Sequence, residues 1–123
     1  MGKTVFVVIE DIYVSEIAAR TLKLEGFNVQ QLDFPQDIPI KAEQLNPDLI
    51  LIDHRTVGDA DLFEQIMNLQ NSTGCCAIYV IDSAKEVAAA TTLRHMGKEI
   101  LEIPLKIADL RTKAGALLRG REN

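Results

Sequence analysis

Three acids follow directly on runs of branched apolar residues, and they are the first sign of chemistry in this sequence of 123 residues. Glu10 and Asp11 close the run from Val5 to Ile9, and Asp53 closes the run from Leu49 to Ile52. An acid placed at the end of a buried strand loses hydration and needs compensation. If the two runs are neighbours, Glu10, Asp11 and Asp53 converge on one crevice, where like charges repel unless a cation neutralises them. Magnesium suits such an incomplete cage, because it takes a few carboxylates and completes its shell with waters and phosphate oxygens. The three acids are therefore the candidate metal ligands.

The elements that would position them are readable from apolar periodicity. Five short apolar runs, Val5 to Ile9, Asn28 to Leu32, Leu49 to Ile52, Ala77 to Ile81 and Ile100 to Ile103, alternate with helix-like segments. The first, third and fourth are nearly continuous in Val, Ile and Leu, as strands buried on both faces of a parallel sheet are. The second alternates, which suits an edge. Helical stripes run through Val14, Ile17, Ala18, Thr21 and Leu24, through Leu62, Phe63, Ile66, Met67 and Leu69, and through Ile107, Leu110, Ala114 and Leu117. Gly26 stands where a helix C-terminal cap belongs, and Pro104 ends the fifth run. Pro39 to Leu45 and Ala84 to Met96 complete the set of helices. The expected fold is α/β, a three-layer, doubly wound, five-stranded parallel sheet of flavodoxin/CheY-like (βα)5 type, in one domain over residues 1–123. In such sheets ligands bind beyond the carboxyl ends of the strands, where Glu10, Asp11 and Asp53 fall.

Composition narrows the function classes. A formal net charge of -5 with no Lys/Arg cluster argues against a nucleic-acid surface. Cys75 and Cys76 are adjacent, a spacing that suits neither a disulfide framework nor a zinc site, so they read as small apolar fillers. No apolar run approaches the length of a membrane span and no leader-like segment opens the chain, which leaves a cytoplasmic setting as the expectation. The scattered glycines form no dinucleotide cradle. A haloacid-dehalogenase-like phosphatase needs a second acid two residues after Asp53, where Arg55 stands. A cobalamin-binding loop of the Asp-x-His-x-x-Gly kind would match Asp53 and Gly58, but His54 comes one residue early and faces the other way. His54 and His95 read as solvated or capping residues.

The stretch "VFVVIEDIYVSEIAARTLKLEGF" resembles the first β/α unit of response-regulator receiver domains, and "NPDLILIDHRTVGDADLF" resembles their third strand and phosphoacceptor loop. The likeness spans essentially the whole chain. It implies that Asp53 is the phosphoacceptor and that Glu10 and Asp11, with Asp53, hold Mg2+. It implies a histidine kinase or phosphotransfer protein as partner, and no enzymatic activity beyond slow self-phosphotransfer and autodephosphorylation. The chemistry is coherent: a carboxylate attacks a phosphoryl group held in line while cations neutralise the equatorial oxygens.

Several positions depart from the family pattern. Ile103 stands in place of the family Lys before Pro104, and Lys106 lies beyond it. Ile100 stands in place of the switch aromatic. The switch hydroxyl falls on Ser83 or on Asp82, according to a one-residue choice of alignment. The loop after Asp53 reads Val57-Gly58 and then Asp59-Ala60-Asp61, without the usual proline, and Glu10 replaces a more common Asp. The bond before Pro104 is expected to be cis, as the resemblance implies. Losing the Lys removes a charge-assisted contact worth about 1.5 to 3 kcal/mol.

Two functions follow. One is a two-component receiver phosphorylated at Asp53 with Mg2+. The other is a phosphorylation-independent pseudo-receiver acting as a dimerisation or protein-interaction module. For the second, the resemblance points to the fourth helix, fifth strand and fifth helix as partner surface or homodimer face, with Ala88, Ala89 and Ala90 allowing close approach of another helix.

Overall fold

The computed structural model describes residues 2–119. Its order is β1 (Thr4–Val8), α1 (Ile12–Leu24), β2 (Asn28–Gln31), α2 (Ile38–Leu45), β3 (Leu49–Asp53), α3 (Ala60–Thr73), β4 (Cys76–Ile81), α4 (Val87–His95), β5 (Glu99–Glu102) and α5 (Ile107–Arg119), with single 3-10 turns at Pro35–Asp37 and His54–Thr56. All four strand pairings are parallel, in the order β2-β1-β3-β4-β5. The expected doubly wound sheet is present, and the second run is indeed an edge strand.

Strand alternation divides the core into two layers. Val5, Val7, Leu49, Leu51, Ile78 and Val80 face one way, against Ala18 and Leu22 of α1 and Leu110, Ala114 and Leu118 of α5. Phe6, Val8, Ile50, Ile52, Tyr79 and Ile81 face the other way, against Ile38 and Ala42 of α2, Leu62 and Ile66 of α3 and Ala90 and Leu93 of α4. Successive side chains of a strand point to opposite faces, so continuous apolar runs are required when helices cover both sides.

Local chemistry sets the helix ends. Asp11 caps α1 by accepting the Val14 amide at 3.1 Å, and Asp59 caps α3 by accepting the Leu62 amide at 3.1 Å. Such caps contribute about 1 kcal/mol each. Helix α3 ends at Gly74, with φ of 75°, while Asn46 adopts the left-handed conformation after α2 with φ of 48°. The Ile103–Pro104 bond is cis, as expected.

The strand order reverses between β1 and β3, which opens a crevice above their carboxyl ends. Register places Val8 of β1 beside Ile52 of β3, so Glu10 and Asp53 emerge at the same end of neighbouring strands. The sheet therefore delivers the acids where the sequence suggested. The side chains then diverge.

Candidate functional site

Asp53 is the last residue of β3 and is buried, with 5% of its surface exposed. A carboxylate in such a place requires partners. Its Oδ2 accepts the Glu10 amide at 2.8 Å, and its Oδ1 accepts the Arg55 amide at 3.1 Å. The second bond closes an Asx turn, which folds the chain into the 3-10 turn His54–Thr56. That turn carries the Arg55 side chain back over the acid that starts it.

Arg55 Nε then lies 2.9 Å from Oδ1 and 3.0 Å from Oδ2 of Asp53. The same guanidinium donates through Nη1 to the Asp33 carbonyl at 3.2 Å, tying the loop after β2 to the loop after β3. Its Nη2 is buried without a hydrogen-bond partner. Thr56, fully buried, donates its hydroxyl to the Asp53 carbonyl at 3.4 Å and braces the turn from below.

The side chains of the other two acids stand apart from the Asp53 carboxylate in their hydrogen bonding. Glu10 approaches Asp53 through its backbone amide, and its exposed side chain stands at the wall of a cavity of about 290 Å3. The Asp11 carboxylate is engaged as the cap of α1. Among the described residues, no group of three or more His, Cys, Asp or Glu side chains is arranged to hold a metal ion. Of the three acids expected to hold magnesium, Asp53 faces the Arg55 guanidinium and Asp11 accepts the Val14 amide through Oδ1.

Both candidates for the switch position are engaged elsewhere. Asp82 Oδ1 accepts the Ala84 amide at 3.1 Å. Ser83 donates its hydroxyl to Glu102 Oε1 at 2.6 Å and accepts from Arg94 Nη2 at 3.1 Å, while Arg94 Nη2 also reaches Glu102 at 2.8 Å. This network joins the loop after β4 to α4 and β5. Ile103 packs into the α1/α5 layer, whereas Ile100 packs into the opposite layer. Lys106 is exposed.

Two connections escaped the sequence. Arg55, at the position where a phosphatase would need its second acid, is the ion-pair partner of Asp53. An Arg two residues after a strand-ending acid, at the start of a polar turn, is the signal that was available. The second connection runs through Glu86, whose Oε1 lies 3.0 Å from His54 Nδ1 and whose Oε2 accepts the Asp82 amide at 3.2 Å. It joins the turn after Asp53 to the start of α4. His54 is therefore partnered, and His95 is exposed as expected. Of the three alanines of α4, Ala90 is buried in the core and is not available to a partner helix.

No protein-family model matches the chain, and no curated protein matches it in sequence. Solved structures do. A CheY-like receiver domain protein from Methanospirillum hungatei superposes with a TM-score of 0.79 at 20% identity, covering 99% of this chain and 98% of that one. The receiver domain of NtrX from Brucella abortus gives 0.78 at 17% identity, over 94% and 98% of the two chains. A response regulator from Desulfuromonas acetoxidans gives 0.79 at 17%, over 97% and 98%. The chain has the CheY-like receiver fold. In this chain the loop after β3 is the turn that carries Asp53 and Arg55. No helix among the described residues is long and apolar enough to cross a membrane.

Proposed function

We propose that this chain is a signalling module of receiver fold that works through protein contact without phosphoryl transfer to Asp53, a pseudo-receiver. The observation that carries this reading is the state of the Asp53 carboxylate. Each of its oxygens already accepts a backbone amide, and both face Arg55 Nε. A nucleophilic carboxylate must present a free lone pair in line with the incoming phosphorus. Here the approach is taken by a tethered cation.

The departures at Ile103 and Ile100 support the same reading. With Ile103 turned into the core, the position before Pro104 supplies no charge to a phosphoryl oxygen. With Ile100 packed against the other layer, no aromatic ring stands there to change orientation. The partner surface in this reading is α4, β5 and α5, where Ser83, Arg94 and Glu102 hold the loop after β4 in place. Its occupants would be a histidine kinase, a phosphotransfer protein or a second copy of the chain. The reading assigns no enzymatic turnover.

Incubation with acetyl phosphate and magnesium, followed by intact-mass measurement, tests it. The expected result is an unmodified chain. A mass increase of one phosphoryl group, absent from Asp53→Asn, would return the chain to the phosphoacceptor receivers.

A further inference from the structure

We propose that Arg55 is an intramolecular latch, a guanidinium that occupies the place of a divalent cation against Asp53 and separates that carboxylate from the neighbouring cavity. The proposal rests on the pseudo-receiver reading and gives it a cause in one residue.

Three observations support it. The first is the ion pair itself, with Nε between the two carboxylate oxygens at 2.9 and 3.0 Å. A guanidinium is always charged and presents its donors in a rigid fork suited to a carboxylate. The second is Nη2, which lies on the same edge of the guanidinium as Nε–H and is buried without a partner. The edge turned towards Asp53 thus keeps a donor in reserve, and a small tilt would convert the shared Nε contact into a two-donor fork. The third is the cavity of about 290 Å3 between the ends of β1 and β2. Arg55 lines it with Glu10, Glu16 and Asp33, whereas Asp53 is not part of its wall. A solute in that cavity has Arg55, and not Asp53, within its walls.

Tethering explains why a dissolved ion would lose the competition. Arg55 is two residues from Asp53 and is anchored at its far end by the Asp33 carbonyl, so its effective concentration at the carboxylate exceeds that of free magnesium in solution. A metal ion entering the site would also have to displace or approach a fixed positive charge. Removal of Arg55 leaves Asp53 with its two amide donors and opens it to the cavity, beside the Glu10 side chain.

The test is Mn2+ titration of the full chain, read as paramagnetic broadening of assigned amide signals, for the wild type, Arg55→Gln, Arg55→Ala and Arg55→Gln/Asp53→Asn. The spectra also report whether each variant is folded. Arg55→Gln keeps bulk and hydrogen-bonding capacity if Arg55→Ala does not fold. The latch predicts that the Glu10 and Asp53 amides broaden at Mn2+ concentrations about tenfold or more below those needed for the wild type, and that the gain disappears with Asp53→Asn. A wild type that binds as tightly as the variants overturns the latch, as do folded variants that gain no binding. These outcomes are separate from the acetyl phosphate test. Phosphorylation of the wild type overturns the pseudo-receiver reading, while folded Arg55 variants without metal affinity overturn only the latch.

Discussion

Arg55 folds back over the residue that starts its own turn, setting its Nε 2.9 Å and 3.0 Å from the two oxygens of Asp53. The pair lies at the carboxyl end of β3, where the sheet offers its crevice, and its two members are unequally placed. The Asp53 side chain is 8% exposed and that of Arg55 is 20% exposed.

That inequality gives an asymmetric stability prediction. Arg55→Ala leaves a buried carboxylate without its cation and should cost about 2 to 4 kcal/mol in chemical denaturation. Asp53→Asn keeps an acceptor oxygen for one of the two backbone amides, turns an NH2 group towards the other, and leaves an Arg with some access to water, so its cost should be smaller, about 1 to 2 kcal/mol. Equal losses would mean that the pair is not what holds the turn.

The sequence revealed the scaffold more fully than the site, for physical reasons. Strand and helix periods are averages over many residues, so they survive substitution, and the runs beginning at Val5, Leu49 and Ala77 lie within a residue or so of β1, β3 and β4. The position of Asp53 followed from the same pattern. The capping bond of Asp11 did not, because a helix cap and a metal ligand look alike when an acid precedes a helix. Arg55 lay further from view: its reach to Asp53 depends on an Asx turn and one rotamer, which no periodicity encodes. The Ser83 hydroxyl could be placed only once β5 had brought Glu102 beside it.

Tyr79 supplies a prediction that depends on pH. The ring is fully buried, its hydroxyl has no hydrogen-bond partner, and burial pushes its pKa up from 10.0 to about 12. The folded state therefore binds the phenolic proton more tightly than the unfolded state does. The associated stability is fully present below pH 10.0 and declines as pH rises towards about 12. Tyr79→Phe should remove that component of the alkaline decline. It should also be neutral or stabilising by about 1 kcal/mol at neutral pH, because an unpaired buried hydroxyl is lost. A destabilised Phe variant would show that the hydroxyl has a partner in solution.

The Ser83 network should contribute little to stability. Arg94 and Glu102 are 56% and 51% exposed in their side chains, and exposed ion pairs are screened. A double-mutant cycle with Arg94→Ala and Glu102→Ala should give a coupling below about 1 kcal/mol, falling with added salt. A larger coupling, insensitive to salt, would point to a buried and more constraining network.

Asn46 holds a left-handed conformation after α2, with φ of 48°. Asn46→Gly should leave stability unchanged or raise it by a few tenths of a kcal/mol, whereas Asn46→Ala should lower it by about 1 kcal/mol. Thermal unfolding of the two variants checks the order, and an alanine variant as stable as the glycine one would contradict it.

The central claim is that Asp53 is closed to phosphoryl chemistry. The most direct test follows the amide chemical shifts of the wild type on addition of magnesium and beryllofluoride, with Asp53→Asn in parallel. The account predicts that neither spectrum changes around Asp53, Glu10 and the start of α4. Shifts that begin at Asp53, spread into α4 and β5, and vanish in Asp53→Asn would contradict it and identify a working phosphorylation switch.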